Sequence, residues 1–430
     1  MLIAALLVLA VVVLDVTSRP VGGKTVVTVR LWDEQVAAAY RQSFAAFGRT
    51  HPGIEVHTNV VSYSNYFTTL RTDVAGGSAD DIFWVSNAYL AGYADSGRLL
   101  DIGKTFGPKA AQAWEPSVVQ QFTRNEKLWG VPQLTDAGVA VYYNADLLAA
   151  AGVDAADLAA LHWGPGDDTL RPLLNHLTVD ADGHPGGTPG FDPGRVRQWG
   201  YNAANDAQGI YLNYIGSAGG QYQDGDRFAF DNPAAVEAFT YLVGLINRDH
   251  VAPPASETND NGDFSRNQFL AGKMALFQSG TYNLAIISRQ ANFHWGLAML
   301  PIGPRGRVSV TNGIAAAGNS ASAHPEAVKQ VLAWLGSTEG NQYIGRLGSA
   351  IPAVTSAQRV YFDYWLSKGI DVRPFFRVLD GPRIAAPGGA GFAAGNQVLK
   401  PYFDEMFLGR SDVATTLRRA QDSANAAAQR

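Results

Sequence analysis

The chain has no cysteine. That excludes disulfides, zinc–thiolate centres and thiol nucleophiles, and also the lipid-bearing cysteine that anchors bacterial lipoproteins. Charge is scarce as well. Asp, Glu, Lys and Arg make up 17% of the 430 residues, against about 25% in an average soluble domain. The net charge of −5 leaves no basic stripe to neutralise a phosphate backbone, so nucleic acid is not an expected partner. The eight histidines are scattered without an H-E-x-x-H pair, and no metal site is expected. Gly23-Lys24-Thr25 looks like the end of a phosphate-binding loop, but Ser18 stands where the pattern needs its first glycine, and a strand follows instead of preceding. Gly216-Ser217-Ala218-Gly219 has the wrong spacing for a nucleophile elbow. No cofactor is expected. Long apolar runs are missing too: Leu2 to Leu14 is aliphatic throughout, but a membrane span needs about 20 residues. Its length suits the core of a signal peptide. Residues 1–23 are therefore expected to be a signal or anchor segment of an exported, envelope or periplasmic protein that is not Cys-anchored.

Apolar residues are present in quantity, 47% of the chain, enough for large cores. At 100–200 residues per domain, roughly two or three domains or lobes are expected. Aromatics are plentiful, with 9 Trp, 17 Tyr and 20 Phe. Excess Trp and Tyr suit cores, and they also suit the apolar faces of sugars.

Strand and helix patterns alternate from the start. Thr25 to Trp32 alternates like a strand, and Glu34 to Arg49 has helical spacing. Ile54 to Val61 and Tyr63 to Ala75 repeat the pair. Next comes Asp81 to Leu100, where the run Ile82 to Val85 fits a buried strand and Ala88 to Ser96 a helix stopped by Gly97. Such alternation gives a parallel sheet covered by helices, and its ligand sites lie at the carboxyl ends of the strands. Trp84 and Asn87 stand at such an end, although Trp84 also reads as core. Val139 to Asn144 and Lys273 to Phe277 read as further strands, Tyr201 to Gly220 as a helix, and 163–194 as loop. Asp412 caps a last helix with Val413, Leu417, Ala420 and Ala424 on one face.

Paired carboxylates are the one catalytic arrangement left open, since glycoside hydrolysis needs two facing each other. Asp81, Asp136, Asp206 and Glu257 are the candidates.

Five blocks, in order, resemble the extracellular solute-binding proteins of carbohydrate ABC importers, the group that includes the maltose-binding protein. They are DIFWVSNAYLAGYADSGRLLDI (81–102), GVPQLTDAGVAVYYNADLLAAAGV (130–153), GKMALFQSGTYNLAII (272–287), LAMLPIGPRGRVSVTNGIAAAG (297–318) and the Gly-Arg-Ser-x5-Leu-x2-Ala pattern at 409–420. The resemblance implies an α/β, two-lobed periplasmic-binding-protein-like fold with the ligand cleft between the lobes. Lobe 1 would be 24–136 and 301–347, lobe 2 137–300 and 348–430. It implies a carbohydrate ligand, delivery to permease subunits, a monomer and no catalysis. Ligand contacts are expected at Trp32, Asp33, Tyr63, Asn65, Trp84, Asn87, Asp136, Ser279, Gly280, Tyr282, Asn312, Gly313 and Arg383. Asn312-Gly313 also reads as a plain turn, and Arg383 as a partner of Asp380. Residues 388–392 depart from the family's aromatic-rich pattern, which argues against maltose-like specificity. Acids in the cleft would accept an ammonium, so an amino sugar is a candidate ligand. The competing readings are a glycoside-acting enzyme using Asp136, and a glycerophosphodiester binder with Arg383 on the phosphate.

Overall fold

A computed structural model describes residues 23–107 and 109–429. The expected signal or anchor segment lies almost wholly outside the described residues. Among those described, no helix is long and apolar enough to cross a membrane.

The first three strand–helix pairs form as the patterning predicts. They are β1 (Thr25–Leu31), α1 (Glu34–Thr50), β2 (Ile54–Val60), α2 (Tyr63–Gly76), β3 (Ile82–Ser86) and α3 (Asn87–Asp95). β1 pairs in parallel with β2 on one side and β3 on the other. The chain returns much later to complete this sheet. Its six strands run in the order Ile351–Pro352, Val131–Thr135, Gly313–Gly318, β3, β1, β2. β3 is thus interior to the sheet, with helices on both faces, which is why Ile82, Phe83, Trp84 and Val85 are all buried. The return strand Gly313–Gly318, sequence GIAAAG, runs antiparallel to β3. Its small residues permit close approach of what lies beneath: a Cβ at Gly313 would stand 2.5 Å from Val118.

A second sheet has three antiparallel strands, Leu276–Ser279, Ala140–Asn144 and Trp295–Ala298. Around it lies a second core drawing on 139–310 and 378–424. A third cluster joins Tyr142, Phe269, Phe277 and Leu284 to Tyr361, Trp365 and Phe375.

Three expectations need correction. Residues 301–310 belong with the second core, not the first: Val308 and Val310 are buried in it, and the Ile302 N–H donates to Leu161 O. The chain therefore re-enters the first lobe near Gly313, and it stays there past 347, because Val354 and Ala357 pack in the first core. The segment 163–194 is not all loop. Leu170–Leu177 is a helix that buries Leu170, Leu174 and Leu177, a short 3.6-residue pattern hidden among glycines and prolines. Beyond it the wholly buried Asp180 carboxylate accepts N–H groups from Asp182, His184 and Asp192, which gives that stretch a fixed shape without regular structure. Conversely, the helix expected from Tyr201 begins only at Ala207, with one widened turn to Tyr211 before Leu212–Ala218.

Candidate functional site

The carboxyl ends of β2, β1 and β3 form one edge of the first sheet. Just beyond them sit Tyr63, Trp32 with Asp33, and Asn87. Asp33 is the N-cap of α1; its Oδ1 accepts the N–H groups of Gln35 (2.7 Å) and Val36 (3.0 Å), so both bonds fall on one oxygen. Trp32 is half-buried and meets Tyr63, Tyr66, Phe67 and Trp84 edge-on or tilted, with centroids 4.8–5.8 Å apart. Phe67 in turn stacks on Tyr89 at 4.0 Å. These contacts make a wall of rings whose outermost member, Tyr63, is 65% exposed.

The opposite wall comes from the second lobe. Tyr282 follows the strand Leu276–Ser279 and is 37% exposed. Its ring lies across Gly280, where a Cβ would come within 2.3 Å of the ring carbons. Gly280 therefore contributes by having no side chain. Gly280→Ala is expected to push the Tyr282 ring off this seat, at about 1–3 kcal/mol of overpacking. Calorimetric titration would then show about tenfold weaker ligand binding, and an unchanged affinity would remove Tyr282 from the site.

Asp136 lies between the walls, on the crossing from Val131–Thr135 to Ala140–Asn144. Its N–H donates to Asn312 O (2.7 Å), which ties two crossing segments together. Its Oδ2 accepts from Gln208 Nε2 (2.9 Å), and Thr281 also bonds the carboxyl. Burial, reinforced by the charge of Asp33, pushes this carboxyl up to about 6 although the bonds from Gln208 and Thr281 oppose the rise. Burial likewise raises Asp33, against the pull of its capping N–H groups and of Arg289 across the cleft. Asp206 is raised by burial too, while it caps the turn at Ala207 through Gly209 N–H. Burial lifts the Tyr63 phenol to about 12 and the Tyr282 phenol further, and both also feel the charges of Asp136 and Asp206. Two tyrosines and three carboxylates from both lobes thus share one electrostatic environment. All five keep some solvent exposure while crowded by protein, as the lining of a narrow cleft would.

The other expected contacts lie elsewhere. Trp84 is 1% exposed and sits beneath Trp32; its indole N–H donates to Tyr40 Oη, which donates to Gln133. It is core, because both faces of the sheet are covered there. Ser279 is buried, and its hydroxyl accepts from Asn283. Asn312 enters through its carbonyl and Gly313 through its N–H, which donates to Gln121. Asn65 is exposed on the first turn of α2. Arg383 is exposed and donates to Leu379 O, and among the described residues it makes no ion pair with Asp380. Asn87 reaches the second lobe itself, donating to Ala386 O and Pro387 O. Asp206, Gln208, Thr281 and Arg289 join this candidate site without having been expected there. Asp206 stood among the candidate acids, but only its cap position in Asp206-x-x-Gly209 could have singled it out.

A sequence profile of the family described as bacterial extracellular solute-binding protein matches residues 32–342. A probable ABC transporter-binding protein of Deinococcus radiodurans is 28% identical over 246 residues, 55% of this chain and 54% of that protein. The chain thus spans about half the length of that relative. A crystal structure of M. tuberculosis UspC is 75% identical, covers 94% of this chain and 100% of that one, and superposes with a TM-score of 0.76. The Listeria monocytogenes substrate-binding protein Lmo0181, solved in complex with cycloalternan, is 19% identical, with a TM-score of 0.80 over 94% of this chain and 98% of that one.

Proposed function

The chain belongs to the bacterial extracellular solute-binding proteins, and from that premise we propose that it captures a carbohydrate between its lobes for an ABC importer, with an amino sugar the best-fitting class. The observation behind this reading is the meeting of Asp33, Asp136 and Asp206 with Trp32, Tyr63 and Tyr282. Rings cover the C–H faces of a pyranose, and the acids take hydroxyls. An ammonium would do more: it would neutralise carboxylates whose burial already disfavours their charge, and charge-assisted bonds are about twice as strong as neutral ones.

Movement of the lobes fits the comparisons. A chain 75% identical to UspC superposes on it no better than on a protein 19% identical. Sequence divergence does not account for that, whereas rotation of one lobe about the crossing segments would. An extracellular location goes with the family; retention by the N-terminal segment and a monomeric state belong to the proposal.

A thermal-shift screen of glucosamine, chitobiose, maltose and glycerophosphocholine tests the ligand class. Glucosamine or chitobiose should raise the midpoint. A response to glycerophosphocholine alone would replace the sugar reading. The elevated Asp136 is also what a general acid needs. Hydrolysis of chromogenic glycosides, lost in Asp136→Asn, would replace binding with catalysis.

A further inference from the structure

One contact between the lobes involves none of the cleft acids. The first turn of α3 meets residues 386–389 of the second lobe. Asn87 Nδ2 donates to Ala386 O (3.3 Å) and Pro387 O (3.4 Å). Beside it Ala88 packs against the second core, while Leu90, Tyr93 and Ala94 of the same helix belong to the first. The approach is as close as side chains allow. A Cβ on Gly388 would stand 2.5 Å from Asn87 Nδ2, and within the second lobe one on Gly389 would stand 1.9 Å from Asp226 Oδ1. Gly389 also has φ +96°, a conformation that suits glycine.

The segment is held in place from behind. Gly388 exchanges two hydrogen bonds with the Gln223 side chain, at 2.8 and 3.2 Å, and Ala390 N–H donates to Asp226 (3.2 Å). Farther along α3, Arg124 is paired with Asp95 at 2.6 Å and also feels the charge of Asp226. Hydrogen bonds, apolar packing and charge thus follow one seam along the α3 side of the cleft. The small residues at 386–390 are what let the two lobes touch; within them begins the stretch 388–392 that departs from the family's aromatic-rich pattern.

We infer that Asn87 and the segment 386–389 form a ligand-independent clasp between the lobes, which makes Asn87 a positioning residue for closure and not a contact to the sugar. This rests on the binding reading above, but its first test needs no ligand. Apparent affinity scales with the fraction of molecules in the binding-competent conformation, so weakening a clasp weakens every ligand by one factor.

The absence of native cysteine makes a direct trap available. Asn87 Cγ lies 3.0 Å from the Cβ position of Gly388, which places the two Cβ positions within about 4.5 Å, in disulfide range. The Asn87→Cys/Gly388→Cys double variant should therefore lose its free thiols on air oxidation in ligand-free protein and regain them with dithiothreitol. Thiols that stay reactive in the folded double variant would overturn the clasp. As a second measurement, Asn87→Ala should enlarge the ligand-free radius of gyration in small-angle scattering. It should also weaken glucosamine and chitobiose by a common factor of about three to ten. Loss confined to one sugar, with unchanged scattering, would return Asn87 to the ligand contacts. If no sugar binds, the sugar reading fails while the trap and the scattering still decide the clasp.

Discussion

Asp136→Asn is expected to raise the melting temperature of the ligand-free protein while abolishing its response to an amino sugar. Both effects come from one group. Burial raises the Asp136 carboxyl to about 6 in the folded chain, against about 3.9 in an unfolded one. Between those values the folded state binds the extra proton, so the stability contributed by this group is fully present only below about pH 4. It declines as pH rises through 6, then levels off. The shift corresponds at neutral pH to about 2 kcal/mol after allowance for partial solvent exposure. Asparagine keeps the shape and the backbone bond to Asn312 O without the charge. Its melting temperature should be higher by a few degrees at pH 7.5 and close to wild type at pH 4.5. For the ligand the sign is opposite. An ammonium needs the carboxylate, so wild-type affinity for glucosamine should weaken about tenfold per pH unit below 6, and Asp136→Asn should bind it at no pH. A neutral disaccharide should be affected far less. Scanning calorimetry and titration across pH 4.5–8 check both halves. Lower stability of Asp136→Asn at neutral pH would mean that the carboxylate's hydrogen bonds outweigh its burial.

Much of the first lobe was legible because its elements are built from local signals. β1 is rich in β-branched residues, β2 alternates, α1 has a capping Asp33 and an apolar stripe, and His51-Pro52-Gly53 ends it. The second lobe was less legible. Its helix at Leu170–Leu177 is too short to show a period among turn residues, and Asp180 orders the next stretch through side-chain bonds that sequence does not reveal. The boundary after 300 was misplaced because Val308 and Val310 look equally apolar whichever core takes them. The site divides along the same line. Trp32 and Asp33 were expected because the family resemblance places polar contacts at the end of the first strand. The roles of Gln208, Thr281 and Arg289 depend on how the lobes face each other, and that distance is not encoded in any local spacing.

Trp84 and Trp32 offer the sharpest separation of core from site, because they touch each other at 4.9 Å and yet should fail in different ways. Trp84 is enclosed by the sheet and by Tyr40, and its indole N–H is one link of a buried chain from Trp84 through Tyr40 to Gln133. Gln133 continues that chain into the carbonyls of Val131, Pro132 and Leu335. Trp84→Ala removes the largest kind of side chain from a site that backbone strands keep from collapsing, and it leaves the Tyr40 oxygen without its donor. Such deletions cost about 3–5 kcal/mol, and the stranded polar group adds to that. The variant should melt many degrees lower or accumulate as insoluble protein. Trp32→Ala removes a ring that is half open to the cleft, so its stability cost should be smaller, while ligand affinity should fall about a hundredfold with the loss of the ring wall behind Tyr63. Melting curves and titrations of the two variants side by side decide the assignment. A soluble, normally melting Trp84→Ala protein that no longer binds sugar would place Trp84 in the site after all, and would mean that the wall of rings opens deeply enough for a ligand to reach the second layer.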